Sequence, residues 1–381
     1  MSIEFMAPEV DELRPRISVI GVGGAGGNAI ANMIAAQVQG VDFIVANTDA
    51  QALSRCLAQT KVQLGKTGLG AGSKPEAGRA AAQESRDAIA AALEGAHMCF
   101  ITAGMGGGTG TGAAPVVAEI AKEMGILTVA VVTKPFDFEN RIRVAEGGVE
   151  ELSKQVDSLI VVLNDKLLEV YGDDAGFEDC FRSADNVLTS AVGGIAEIIN
   201  VPGLVNVDFQ DVRTAMAEMG RAMMGSAQAS GLDRARIAAE QAAVSPLLEG
   251  TELSGARCVL INITASRNLK MSEVRDAVKT VQAFAASEAF VKYGTVFDES
   301  MEDRIRVTVV ATGLGAVRAA AMPRKIEMVR TGTDNIGMEI DYGNLELPAV
   351  IRRTSRTTVE AMSANGMSTL DIPAFLRKQA D

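Results

Sequence analysis

The chain has one histidine, four cysteines and no tryptophan. A single histidine, His97, cannot build a zinc site of the usual kind, and any Ser-His-Asp triad would have to pass through it. It precedes a predicted strand and reads as a structural or surface residue. Cys56, Cys99, Cys180 and Cys258 are scattered, with no C-x-x-C pair. They read as reduced thiols rather than as a disulfide or metal framework. Positive charge is scarce: 36 basic against 48 acidic side chains give a net charge of −12. The deficit lies in residues 1–317, which hold 27 basic and 40 acidic groups. A non-specific nucleic-acid binder needs basic clusters to meet phosphates, so direct nucleic-acid binding is not expected. Long apolar runs are missing too. The longest aliphatic run is "ILTVAVV" (126–132), against the ~18 residues that span a bilayer. The first residues, "MSIEFMAPEVDELRPR", lack the apolar centre of a signal peptide. A soluble, cytoplasmic chain without direct membrane insertion is expected. Its chemistry must run on carboxylates, amides, hydroxyls, a metal or a cofactor.

What is present is glycine, 38 of 381 residues, and it is concentrated. "GVGGAGG" fills 21–27 and "GMGGGTGTG" fills 104–112. Ordering glycine costs backbone entropy, so such clusters mark places where the chain needs close approach or unusual angles. Both follow apolar runs. "RISVIGV" (16–22), "VDFIVANT" (41–48), "HMCFITA" (97–103), "ILTVAVVT" (126–133) and "SLIVVLN" (158–164) read as buried strands. Helical patterns fall between them at 28–36, 75–93 and 113–125. The alternation predicts an α/β fold with a parallel sheet covered on both faces. A helix of about six turns is predicted at 179–200, stopped by Pro202. Helices at 211–219, 232–244 and 271–286 and strands at 257–264, 289–297 and 305–312 then suggest a smaller α+β domain. Residues 318–367 lose periodicity and read as a flexible linker. Asp371 and Pro373 open a short amphipathic pattern at 370–381 that suits docking into a partner's groove.

A glycine turn between strand and helix brings backbone N–H groups and the helix N-terminus to a phosphate. Gly21, Gly23 and Gly26 also fit G-x-G-x-x-G, and Asp49 follows the second strand, so an NAD-dependent dehydrogenase is an alternative. A second loop, 106–112, with Thr109 and Thr111 as hydroxyl donors, favours a nucleotide held by several loops. A P-loop reading of "LGKTG" fails, because the first glycine would fall on Thr60. The loop 68–72, "GLGAG", is small enough to lie over a γ-phosphate. "KPFDFENRIR" (134–143) brings Glu139 and Arg143 to a fourth strand end. A carboxylate there can accept from ribose hydroxyls, and Arg143 can lie near phosphate. Guanine offers N1–H and N2–H₂ donors that suit a carboxylate. Asp185 is the candidate, with Phe181 one turn earlier to stack on the ring.

Together "GGGTGTG" (106–112), "NTDAQAL" (47–53), "GLGAG" (68–72), "NVDFQDVRT" (206–214) and the tail "DIPAFLRKQAD" resemble the FtsZ family, bacterial homologues of tubulin. The likeness covers about 15–317 and the last dozen residues. It implies a Rossmann-like parallel-sheet GTP-binding domain (15–178) after a flexible N-terminus (1–14), and a central core helix (179–201). A C-terminal GTPase-activating domain (202–317), the linker (318–367) and a partner-binding peptide (368–381) follow. It implies that GTP or GDP, with Mg²⁺ bound mainly through phosphates, contacts the first loop through Gly23, Gly24, Ala25, Gly26, Gly27 and Asn28. The second loop would contribute Gly106, Gly107, Gly108, Thr109 and Gly110. Ala71, Gly72 and Thr133 would flank the phosphates, and Glu139 and Arg143 the ribose and phosphates. Asn164, Phe181 and Asp185 would meet the base. No protein metal ligand is expected. Asp208 and Asp211, with Asn206, would be the catalytic set, acting on the next copy in a head-to-tail filament. Implied partners are further copies of the chain, assembly regulators and, through 368–381, membrane-tethering proteins of the FtsA and ZipA type. The implied place is the mid-cell division ring on the inner face of the membrane. The segment 138–152 is about two residues shorter than usual for the family, which leaves Arg141 as the alternative to Arg143.

Overall fold

The computed structural model describes residues 15–171, 176–201, 205, 207–217, 220–244, 253–286 and 288–314. Residues 1–319 form one compact unit. The remainder, with the linker and tail expectations, lies outside the described residues, as do 1–14 and Asn206.

The apolar runs form the strands as their periodicity requires. β1 (Ile17–Val22), β2 (Asp42–Asn47), β4 (Met98–Gly104), β5 (Leu127–Lys134) and β6 (Ser158–Leu163) are parallel and mostly buried. β3 (Thr60–Gln63) adds a short edge strand. The sheet continues through β7 (Gly220–Ser230) into β10 (Arg304–Leu314), β8 (Cys258–Ala265) and β9 (Phe290–Phe297). The order is β3-β2-β1-β4-β5-β6-β7-β10-β8-β9. β10 is antiparallel to both β7 and β8, while β8 and β9 are parallel, so the α/β half passes into an α+β half within one sheet.

Alternation along β1 explains the two layers. Ile17 and Val19 point into one apolar cluster, Ile20 and Val22 into the other. α1 (Gly23–Ala35) and the 24-residue α8 (Phe177–Asn200) cover the first face. Asn32 of α1 donates to Asn186 and Thr189 of α8 at 3.0 and 3.2 Å. α3 (Pro75–Glu84), α4 (Arg86–Leu93), α5 (Thr109–Glu123) and α6 (Ile142–Ser153) cover the second face. A third cluster lies under α10 (Arg234–Ala243) and α11 (Met271–Phe284).

Three differences from the sequence reading matter for the site. α1 begins at Gly23 rather than 28, and α5 at Thr109 rather than 113, so most of the first glycine stretch and the last four residues of the second are helix, not loop. The predicted helix 75–93 breaks at Ser85. Its hydroxyl accepts from the Gly65 N–H at 2.9 Å, tying the break to the segment after β3. Finally, α2 (Ala50–Arg55), α6, α7 (Asn164–Tyr171) and β7 were not expected. β7, "GRAMMGSAQAS", is rich in small residues with little strand preference and is held by its pairing to β10.

Candidate functional site

A cavity of about 350 Å³ opens at the carboxyl ends of β1, β4, β5 and β6. It sits where α1 and α5 leave neighbouring strands for opposite faces, the crevice where open α/β sheets bind ligands. The first turns of both helices form its floor. Gly24, Ala25 and Asn28 line it from α1, and Gly107, Gly108, Thr109 and Gly110 from the second stretch. Two sets of free N–H groups and two positive dipole ends therefore meet at one place.

The remaining glycines are there for packing. A Cβ on Gly26 would lie 2.5 Å from the Thr102 carbonyl oxygen, and one on Gly110 2.5 Å from that of Gly104. These positions let each helix start press on its strand. Gly23 has φ +78° and Gly106 φ +99°, which a side chain would strain. Gly23, Gly26, Gly27 and Gly106 do not line the cavity. Hydroxyls lock the turns: Thr48 and Thr109 share a hydrogen bond of 2.6 Å, and Gly106 N–H donates to Thr111 Oγ1 at 2.9 Å. Ala71 packs close to Gly108, while Gly72 is exposed, and neither lines the cavity.

The side walls carry the polar groups. Thr133 and Asn164 are buried on the wall. Asn164 Oδ1 has no hydrogen-bond partner, a deficit of about 1–3 kcal/mol that a ligand donor would remove. Phe181, Ala184, Asp185 and Leu188 form one stripe of α8, at the spacing of neighbours on a helix face. Burial pushes the Asp185 carboxyl up to about 6. Phe181 meets Phe136 edge-on at 5.3 Å between ring centres, and Phe138 stacks on Phe136 at 5.3 Å. Glu139 accepts from Phe136 N–H at 2.9 Å and pairs with Arg141.

Arg141, not the expected Arg143, lines this cavity. Arg141 stands just before the start of α6, whereas Arg143 lies two residues on, about 200° further around the helix. Asn140 takes a left-handed φ of 54° and turns the chain there, a cost the shortened segment accepts. Phe136 and the Ala184–Leu188 stripe were also missed. The i, i+3, i+4, i+7 pattern from Phe181 was the available signal.

The acids lie elsewhere. Asp208 caps α9 (Phe209–Met216) and accepts from the Asp211 N–H at 2.7 Å. Phe209 meets His97 at 6.3 Å, just before β4 begins, whereas Gly104 at the far end of β4 lines the cavity. Those seven residues separate the ends by about 20 Å. Asp208 and Asp211 are thus at the opposite edge of the sheet from the glycine turns. A larger cavity of about 620 Å³ runs along α8 past Glu197 and Arg306, but neither glycine stretch lines it.

Comparison with known proteins fits this geometry. The model of the Tubulin/FtsZ family GTPase domain matches residues 16–172, and that of the FtsZ family C-terminal domain matches 220–315. The cell division protein FtsZ of Pseudomonas putida is 51% identical over 96% of this chain and 97% of its own. That of Coxiella burnetii is 51% identical over 98% and 99%. The chain belongs to the FtsZ family. An FtsZ dimer structure from M. jannaschii, 42% identical, superimposes with a TM-score of 0.75 over 81% of this chain and 93% of that one. CetZ2 from Haloferax volcanii, solved as a GTPγS-bound protofilament, shares the fold at 21% identity, with a TM-score of 0.68 over 80% and 95%. As an FtsZ, the chain is a cell-division GTPase that binds GTP and GDP. The dehydrogenase alternative finds no support. Its Gly21 and Gly26 serve close strand–helix packing, and the Asp49 carboxylate is engaged in capping α2 at 2.8 Å from Gln51 N.

Proposed function

We propose that the chain assembles head to tail into filaments that scaffold the bacterial division ring, and that GTP is hydrolysed only where two copies meet. One observation carries this reading: the cavity and the acids lie at opposite ends of one sheet. Along α8 alone, Asp185 and Asn200 are 15 residues apart, about 22 Å. Asp208 and Asp211 cannot reach the cavity of their own copy, but a head-to-tail contact brings them over the next copy's γ-phosphate. Such heterologous contacts build open filaments when rotation does not close a ring.

In this reading Asp185 accepts from guanine N1–H and N2–H₂, Phe181 lies against the ring and Asn164 Oδ1 gains a donor. Glu139 accepts from ribose hydroxyls, and Arg141 serves the phosphates. The α1 and α5 starts and Thr109 donate to the phosphates. These donors fit phosphate oxygens rather than a cation, so Mg²⁺ would be carried mainly by the phosphates. Asp208 and Asp211 then orient and polarise the attacking water, in a transfer governed by positioning and charge. The two family domains divide the work, 15–178 binding nucleotide and 202–317 supplying the acids, with 179–201 between them. The tail, 368–381, would dock on FtsA- and ZipA-type tethers, which would place the filament at the inner face of the membrane at mid-cell. No helix among the described residues is long and apolar enough to cross a membrane.

The test is turnover per subunit against protein concentration, for the native chain and Asp211→Ala. Native turnover is expected to rise steeply with concentration. Asp211→Ala is expected to bind GTP and sediment with it, yet lose roughly 10²–10⁴-fold in rate. A native rate independent of dilution, or normal turnover in Asp211→Ala, would refute the reading.

A further inference from the structure

β9 is the outermost strand of the sheet, and its residues alternate. Val291 and Tyr293 pack into the third cluster. Phe290, Lys292 and Gly294 occupy the other face, where the segment bearing the acids lies. The Thr295 N–H donates to the Val205 carbonyl at 3.2 Å, and the Val205 N–H donates to Thr295 Oγ1 at 3.3 Å. Val207 sits 3.3 Å from where a Cβ on Gly294 would be. Lys292 Nζ lies 3.0 Å from Asp211 Oδ1 and 5.5 Å from the centre of the Phe290 ring. The edge strand is thus a platform for the acids, and Lys292 is the side chain on it that grips one of them.

An ion pair this open to solvent adds little to stability. Its consequence falls on the contact. Asp208 and Asp211 approach a triphosphate on another copy of a chain whose net charge is −12, and α9 itself brings one basic side chain, Arg213, to the two acids. Asp208 is held by the Asp211 N–H. Asp211 is held by Lys292. We propose that Lys292 is a positioning residue for hydrolysis: it fixes the Asp211 carboxylate on the outer surface in one orientation and offsets its charge as the contact closes. This rests on the reading that Asp211 acts on the next copy's nucleotide.

The test compares Lys292→Met, which keeps the stem, with Lys292→Arg, each alone and with Asp211→Asn. GTP affinity of the unassembled chain, sedimentation with GTP and phosphate release per sedimented subunit are measured. Lys292→Met is expected to leave affinity and the KM for GTP unchanged and to lower turnover per assembled subunit about tenfold, the scale of one lost charge-assisted bond. Lys292→Arg recovers most of the rate. In the Asp211→Asn background Lys292→Met has no further effect, because the two act as one unit. If Lys292→Met does not sediment, Lys292→Gln against Lys292→Arg makes the same comparison. Unchanged turnover in assembled Lys292→Met, or an equal tenfold loss with and without Asp211, overturns the proposal. Normal hydrolysis by Asp211→Asn alone overturns the underlying reading of the acids instead.

Discussion

Asp185→Asn tests the base-reading end of the cavity. Burial holds the Asp185 carboxyl at about 6 instead of near 3.8. The folded state therefore binds more protons than the unfolded one between those values, and stability contributed by this group falls as pH rises from about 4 to 6. At pH 7 the free protein carries a half-buried charge. After allowing for the solvent that reaches it, the penalty is about 1–2 kcal/mol. Asparagine removes that penalty, so the nucleotide-free variant should be more stable at pH 7 and no more stable at pH 4. Nucleotide binding should move the other way. A carboxamide can still accept from guanine N1–H, but its NH₂ faces guanine N2–H₂, donor against donor. The loss of one charge-assisted bond and the clash amount to about 3 kcal/mol, or roughly 10²-fold in Kd. Xanthine carries an oxygen at C2, so the same variant should gain affinity for XTP. The assays are denaturant unfolding at pH 4 and pH 7 and titration with GTP and XTP. In the native chain GTP affinity should weaken tenfold per pH unit below about 6. A variant that keeps native GTP affinity and does not gain XTP would refute the assignment of Asp185 to the base.

Other perturbations probe the remaining walls. A Cβ on Gly112 would lie 1.9 Å from the Pro75 carbonyl oxygen, so Gly112→Ala should force α3 off α5 and cost about 2–4 kcal/mol in denaturant unfolding; a change under about 0.5 kcal/mol, the level of a neutral surface substitution, would contradict that crossing. Arg141→Ala should weaken GTP binding about tenfold while Arg143→Ala stays near native, and the reverse order in a fluorescent-nucleotide titration would restore Arg143. Deleting 368–381 should leave GTP turnover largely intact and abolish pull-down by FtsA- and ZipA-type proteins; retained binding would count against the tail as the docking peptide.

The two helix starts that floor the cavity were legible because local rules determine them. An apolar run followed by glycine and then by helical spacing places a strand end beside a helix start, wherever the fold puts them. Asp185 could be reached the same way, as an acid near the start of a predicted helix. The reading failed where a tertiary contact overrides local pattern. Glycine is a poor helix former, so Gly23 to Gly27 read as loop; close packing against Thr102 makes them helix instead. Nineteen residues of alanine-rich pattern gave no sign that Ser85 would turn aside to the segment after β3. Arg141 and Arg143 differ by two positions in a string, but by half a turn on α6.

The acids were legible in type and, through the long helix predicted before them, in their distance from the glycine turns. "NVDFQD" shows two carboxylates three apart, a helix cap and its first turn. The apolar spacing over 179–200 already predicted a helix long enough to carry them the length of the sheet, and α8 does so. In the proposed function, that length divides the work between copies. A short α8 would return the acids toward their own nucleotide, and each copy could hydrolyse GTP alone. A helix of 24 residues instead separates the cavity from the acids of the same copy, so in the proposed function turnover waits on assembly. On this argument α8 is the feature that makes hydrolysis a timer for the contact rather than a property of the single chain. The same logic would place Lys292 on β9 rather than in the cavity: in the proposed function its charge acts beside Asp211, where the neighbour arrives.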